Sequence, residues 1–329
     1  MSGKGMSPSR RRDATTAWCW WQGRRVRASM TRRRRDCEQR GRRPRRFEAR
    51  SGGKTMDGIV NTKPTAGVVG LGAMGYQMAR HLKENGFTVA GYDVSAEATA
   101  KSQAIGIPTK ADIAEVGSGA EVVVVMVQTD KQVVDVIGNG GLLASLAPGS
   151  VICIASSIAP DTCRQLEREA AEKGVGVLDT PVVLGQEAAD NGTLTVFVGG
   201  EAKWLEKARP VLSAFGSNIL HIGPSGTGQI AKTTNNMLLW ACICANFEAL
   251  SLAKQLGADV PTLVSALMHS SGANWSLSRW GKSTGKWAEK DMDVALDLAQ
   301  SVKLPLPLNG LVDQLMKSMN KERMQSLLS

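Results

Sequence analysis

The chain has 329 residues, 43% of them apolar, enough to fill one large or two moderate cores. Its net charge of +10 is uneven: residues 1–55 hold 18 of the 40 Lys+Arg and 4 of the 30 Asp+Glu, a net of +14, so the other 274 residues carry a net of −4. That body has no nucleic-acid footprint, no run of 18 apolar residues to cross a membrane, and six cysteines (Cys19, Cys37, Cys153, Cys163, Cys242, Cys244) with neither CxxC nor histidine spacing for a metal. The cysteines read as free thiols of a reducing compartment, so no metal is expected and the expected location is cytoplasmic.

Residues 1–63 read as a basic tail outside the folded body. Arg10 to Arg12 and Arg32 to Arg35 are charge runs, and Trp18, Trp20 and Trp21 follow no helical or strand period. Four readings fit: a nucleic-acid-binding arm, an organellar transit peptide, a solvated tail, or a stretch upstream of a natural start at Met56. Nucleic acid is a partner, and an organelle the location, only if the segment is retained or is a transit peptide.

Regular structure is expected from Thr65. Ala66 to Gly70 reads as a short buried strand, and Gly70-Leu71-Gly72-Ala73-Met74-Gly75 opens a helix through Leu82 that Gly86 ends. Phe87 to Tyr92 reads as the next strand, closed by Asp93. Strand, glycine turn, helix, strand and acid form the full context of a dinucleotide site. Gly70 allows the tight turn, Gly72 lets backbone approach a pyrophosphate, and Gly75 lets helix and strand pack closely. Asp93 is placed to accept from ribose hydroxyls and to repel a 2′-phosphate, and no arginine follows in Val94 to Glu97; NAD is favoured over NADP. The competing reading of Asp93 is a cap for the next helix.

Glu121 to Val127, Val151 to Ala155, Val175 to Leu178, Leu194 to Val198 and Asn218 to Ile222 read as further strands, with helices between them that include Pro160 to Lys173. The alternation predicts an α/β fold, a doubly wound Rossmann-like sheet over residues 64–226. Strand signals then stop. Gln229 to Leu256 reads as one long helix with Gly257 just past its end. Helices over Pro261 to Met268, Ala288 to Val302 and Gly310 to the C-terminus complete an all-helical C-terminal domain, 227–329. The long helix is expected to bridge the two parts.

Lys232 falls in the first turn of that helix, with Asn235 and Asn236 on the same face three and four residues on. A lysine among amides after a glycine turn is an acid/base candidate, because burial lowers its pKa toward neutrality. An exposed lysine beside capping asparagines has the same spacing.

With these segments in view, the chain resembles the β-hydroxyacid dehydrogenase family, 3-hydroxyisobutyrate dehydrogenase included, over about residues 65–329. Gly70 to Gly75 resembles the family's cofactor loop. Asp179-Thr-Pro-Val-Val-Leu-Gly185, continuing through Gly192 to Gly200, resembles its substrate segment, Gly226 to Asn236 its catalytic segment, and Lys290-Asp291 ahead of Leu304 to Leu308 its C-terminal cofactor segment. The resemblance implies hydride transfer between NAD(H) and a small β-hydroxyacid or its aldehyde-acid. It places the essential lysine on Lys232, a substrate-binding asparagine on Asn236, nicotinamide contacts on Ser156-Ser157 and a cofactor contact on Lys290. It also implies a homodimer or homotetramer. Where the family has Ser-Gly-Gly to hold the substrate carboxylate, this chain has Val183-Leu184-Gly185. A hydroxyl is lost and Leu184 adds bulk, leaving the Gly185 backbone as anchor and Gln186 as the nearest polar side chain. Rival readings are a reductase of an imine or unusual aldehyde, and a non-catalytic relative tethered to a basic arm. Both kinds of relative lack the lysine, so Lys232 weighs against them.

Overall fold

The computed structural model describes residues 63–138, 141–282 and 285–329; the basic segment over 1–62 lies outside the described residues. The strands are β1 (Ala66–Val69), β2 (Val89–Tyr92), β3 (Val122–Val125), β4 (Val151–Ile154), β5 (Gly176–Asp179), β6 (Val182–Val183), β7 (Leu194–Gly199) and β8 (Gly216–Gly223). Helices α1 (Ala73–Glu84), α2 (Ala96–Ala104), α3 (Ile113–Gly117), α4 (Asp130–Ile137), α5 (Leu142–Ser145), α6 (Pro160–Ala171), α7 (Gly185–Asn191) and α8 (Ala202–Leu212) lie among them. The rest is helical: α9 (Thr227–Gln255), α10 (Val260–Leu267), α11 (Trp275–Ser278), α12 (Ala288–Ser301), α13 (Pro307–Met316) and α14 (Lys321–Gln325).

The strands form one sheet in the order β2-β1-β3-β4-β5-β7-β6, with β8 beside β7. Four consecutive valines make β3, and none is exposed. Alternate side chains point to opposite faces: Val122 and Val124 join a core with Met78, Leu82 and Leu178, while Val123 and Val125 join one with Ile137, Ile152 and Leu166. Helices cover both faces of the β1–β5 sheet, which is why its strands are apolar without alternation. The chain crosses back between β2 and β3, so the ends of the adjacent strands β1 and β3 form the crevice where such sheets take ligands.

The expected Rossmann-like sheet is present with one added feature, and one expected helix is corrected. The doubly wound sheet is mixed: β1 to β5 are parallel, but β7 runs antiparallel to β5 and to the short β6. Pro181 carries the chain straight from β5 into β6, and α7 turns it back into β7, so no crossover intervenes. The last helix is two. Pro307 starts α13 at its first turn, before Gly310, and Asn320, whose side chain accepts from Arg323 N–H, starts α14.

α9 starts against β5, β7 and β8 and continues among α11, α12 and α13. It has the length and apolarity of a membrane span, but its inward face builds a core of Trp240, Ile243 and Leu250 with Leu277, Trp280, Met292 and Met316. Gly257 stands just past its end at φ +84°, the left-handed exit expected of it.

Candidate active site

Gly70 follows β1 at φ +92°, and a Cβ there would collide with the Met126 carbonyl at the end of β3. A Cβ on Gly75 would collide with the Gly70 carbonyl, whereas one on Gly72 meets nothing within 4 Å. Packing therefore requires Gly70 and Gly75 but not Gly72, whose open space faces outward at the start of α1. That helix has no side-chain cap and no acidic residue in its first turn, so its N–H groups are free for an anion. Gly72 and Ala73 are exposed and Met74 is half-buried. Leu71 is different: its side chain is 1% exposed in the core, and its N–H donates to Asp93 Oδ2 at 2.6 Å. Only its main chain borders the turn. Asp93 also accepts from Ser95 N–H at 2.8 Å, while the cap of α2 is Ser95 itself, bonded to Ala98 N–H. Asp93 thus stands at the end of β2 beside the glycine turn and is not the helix cap. These residues fit a dinucleotide: a cradle that glycine keeps open, an uncapped helix start and a carboxylate beside it.

A second group gathers at the start of α9. Lys232, Asn236, Ser157, Lys290 and Asp291 line one cleft together with Ile158 and Gln229. Lys232 Nζ donates to the Val182 carbonyl at 2.5 Å. Burial pushes its pKa below the ordinary lysine value; attraction to Asp291 opposes that shift and repulsion from Lys290 adds to it. Asp291 is pushed above the ordinary carboxylate value by burial, offset in part by Lys232 and by hydrogen bonds from Trp240 and Asn236. Trp240 Nε1 donates to its Oδ2 at 3.1 Å. The arrangement offers a desolvated amine at the cleft wall, with a carboxylate facing it and an amide alongside. Such an amine gives up its proton more readily than an exposed lysine.

Of the serine pair, Ser157 lines the cleft. Ser156 is buried, and its Oγ accepts from Val127 N–H at 2.8 Å. Lys290 reaches across to the Gln128 carbonyl at 2.7 Å, in the loop after β3. Gln229 is nearly enclosed: Nε2 donates to the Ser156 carbonyl at 2.8 Å and Oε1 accepts from Ile158 N–H at 3.3 Å.

The substrate segment turns sharply. Leu184, just before α7, adopts φ +85°, and Gly185, its first residue, φ +74°. Leucine rarely takes that left-handed conformation; here its side chain is half-buried against the core, and a Cβ on Gly185 would meet nothing within 4 Å. Leu184 lines a neighbouring cleft with Trp275 and Arg279, whose guanidinium pairs with Glu187 and stacks over Trp275. Gln186 is no stand-in for the missing serine. It lies in α7, exposed, and its amide donates to the Ala73 carbonyl and to Asp190 at 2.7 Å. It ties the substrate segment to the cofactor helix.

Lys232, Asn236, Ser157 and Lys290 thus share one cleft, and Gly70–Gly75 with Asp93 form a second group. Leu184–Gly185 lies apart from that cleft but two residues beyond Val182. Sequence reasoning passed over Asp179, Gln229 and Asp291 as site residues. Only the Lys-Asp pair carried any signal for Asp291.

Residues 65–223 match the NAD-binding domain of 6-phosphogluconate dehydrogenase, and residues 226–327 match the NAD-binding domain described for NADP-dependent 3-hydroxyisobutyrate dehydrogenase. The chain is 34% identical over 272 residues to an NAD-dependent L-serine dehydrogenase of Pseudomonas aeruginosa (77% of this chain, 91% of that one). It is 36% identical to a 3-hydroxyisobutyrate dehydrogenase of the same organism (75% and 89%). Among solved structures, a 3-hydroxyisobutyrate dehydrogenase of Mycobacterium tuberculosis with L-serine superposes with a TM-score of 0.72 at 26% identity, covering 81% of this chain and 99% of that one. With family matches over both the sheet and the helical half, and relatives more than 30% identical over three quarters of its length, the chain belongs to the β-hydroxyacid dehydrogenase family, NAD-binding oxidoreductases that act on CH–OH groups.

Proposed function

We propose that the protein interconverts a small β-hydroxyacid and its aldehyde-acid, with Lys232 as general acid/base. The observation that carries this reading is the desolvated Lys232 amine in one cleft with Ser157, Asn236 and Lys290. The main-chain N–H groups at the start of α1, around Gly72, Ala73 and Met74, are suited to the cofactor's pyrophosphate, and Asp93 to its ribose. Ser157 and Lys290 would border its nicotinamide. When bound, NAD(H) supplies or takes up the hydride. In reduction the Lys232 ammonium gives a proton to the substrate oxygen; in oxidation the neutral amine takes it from the hydroxyl. Asn236 holds the substrate, and the Gly185 backbone anchors its carboxylate. Asp93 gives a preference for NAD over NADP.

Relatives are described as dehydrogenases of L-serine, 3-hydroxyisobutyrate and 2-(hydroxymethyl)glutarate, all hydroxyacids. Those three acids, incubated with NAD and followed by NADH absorbance, form the direct test. Turnover of at least one, lost in Lys232→Ala, supports the reading; turnover undiminished in that variant refutes the role of Lys232.

The same reading includes a homodimer or homotetramer. Leu238 and Leu252 on α9, Leu256 just past its end, and Leu308 and Leu311 on α13 are more than half exposed, apolar surface that a second copy would cover. Light scattering that returns a monomer mass at micromolar concentration rules this out.

A further inference from the structure

We propose that Asp179 is the positioning residue for Lys232, acting through the first turn of α9; this rests on the acid/base reading of Lys232. Asp179 ends β5 and has no exposed surface. Its Oδ1 accepts from Gly226 N–H at 2.7 Å and its Oδ2 from Gln229 N–H at 3.0 Å. α9 begins after Gly226, which has no side chain to cap it. The cap is supplied instead from a strand 47 residues earlier in the chain.

The surrounding backbone is cut to fit this one carboxylate. A Cβ on Gly228 would stand 2.7 Å from Oδ2 and 2.9 Å from the Asp179 carbonyl, and one on Gly199 would collide with Oδ1. Gly226 itself needs φ +88°. Gly228 and Gly199 thus clear the space for the carboxylate, while Gly226 is required by its own backbone angle. Burial raises the Asp179 pKa, opposed by the N–H bonds, so the group is costly to keep ionised. A neutral cap would satisfy the helix at lower cost; a charge facing the start of a 29-residue helix holds it more firmly.

The firmness matters because the segment that continues from this strand into β6 also holds the lysine. Three residues past Asp179, the Val182 carbonyl accepts from Lys232 Nζ. Asp179, the first turn of α9, Lys232 and Val182 therefore close a ring of contacts. Gln229, in that turn, also holds the backbone on both sides of Ser157. A shift of the turn by about 1 Å moves the amine relative to everything it faces, and displacements of that size cost up to about a hundredfold in rate.

The test is a double-mutant cycle on the full chain, with NAD and whichever of L-serine and 3-hydroxyisobutyrate is turned over faster. Asp179→Asn keeps the size and one acceptor. It is expected to lower kcat by roughly ten- to hundredfold while the Kd for NAD stays within about twofold. In a Lys232→Ala background the same substitution is expected to change kcat by less than about twofold. Equal losses in both backgrounds would make Asp179 a general stabiliser and overturn the proposal. Near-wild-type kcat in Lys232→Ala alone would instead overturn the acid/base reading beneath it. Gly228→Ala, which keeps the carboxylate but crowds it, is run through the same cycle. It decides the matter if Asp179→Asn does not fold, by the same two outcomes.

Discussion

Two strand-to-helix turns of this protein bend equally sharply, and they obey different rules. The turn from β1 to α1 has glycine wherever backbone presses on it: Gly70 faces the Met126 carbonyl and Gly75 the Gly70 carbonyl. The turn from β6 to α7 bends as sharply, with φ of +85° and +74°, yet its first left-handed position is Leu184. The difference lies in what surrounds each turn. Walls of main chain cannot yield, so a side chain is excluded at Gly70; beside Leu184 there is room, and the core takes the side chain in. The first turn is fixed by its main-chain walls, while the second leaves room for a side chain.

The largest expected effect separates chemistry from cofactor binding. Lys232→Ala is expected to lower kcat by about 10²–10⁴-fold, with the Kd for NAD nearly unchanged because the glycine turn is untouched. Lys232→Arg does not restore the rate, since arginine keeps its proton. Steady-state rates and a fluorescence titration with NADH check both.

The lysine also marks the stability profile. Its folded pKa lies below the unfolded value of about 10.4, because burial disfavours the ammonium. Between those two values the unfolded chain binds more protons, so stability rises with pH. Asp179 and Asp291, raised by burial, act oppositely: stability falls as pH climbs from the ordinary carboxylate range toward their folded values. Urea unfolding from pH 7 to 10 is expected to show a steeper rise for wild type than for Lys232→Met. Equal slopes refute the depressed lysine.

Within the first turn the two kinds of glycine are expected to part. Gly70→Ala forces a left-handed alanine, costing about 1–2 kcal/mol, into a carbonyl, and loses stability and NAD binding together. Gly72→Ala meets no protein atom. Its stability should change by less than about 0.5 kcal/mol, while NAD affinity falls roughly tenfold, about 1.4 kcal/mol. Unchanged affinity in Gly72→Ala would show that no ligand approaches there. Asp93 acts more mildly: NAD is expected to be preferred over NADP by at least roughly tenfold, and Asp93→Asn to narrow that gap, as kcat/KM with each cofactor reports.

What the sequence made legible follows the same division. The strand, glycine turn, helix and acid were readable because each demand is local: a positive φ, a close approach, an uncapped helix. Spacing put Lys232 and Asn236 on one helix face, but an exposed lysine has the same spacing, so their expected roles rest on the family resemblance. The antiparallel β7 was not legible, because nothing local says that the chain turns back beside β5 after Pro181 and the short α7 instead of crossing over. Asp179 was quoted within a motif, but nothing local says that its oxygens reach Gly226 and Gln229. Only Gly199, Gly226 and Gly228 hint at it, and they become meaningful once the fold brings them to one carboxylate.

The smallest expected effect tests the variable turn itself. Leu184→Gly relieves about 1–2 kcal/mol of left-handed strain. Against that, glycine adds unfolded-state entropy worth roughly 0.5–1 kcal/mol, and the core loses a half-buried leucine, worth about 1 kcal/mol. These contributions nearly cancel, so Tm should stay within roughly 2–4 °C of wild type. Substrate binding should not stay still. Glycine at this position restores the room that the family's Ser-Gly-Gly segment provides around the substrate carboxylate. KM for 3-hydroxyisobutyrate is expected to fall by roughly three- to tenfold, about 1 kcal/mol, with the Kd for NAD unchanged. If KM stays put while Tm moves, Leu184 is a packing residue whose turn has no part in substrate choice, and the carboxylate anchor must be sought away from Gly185.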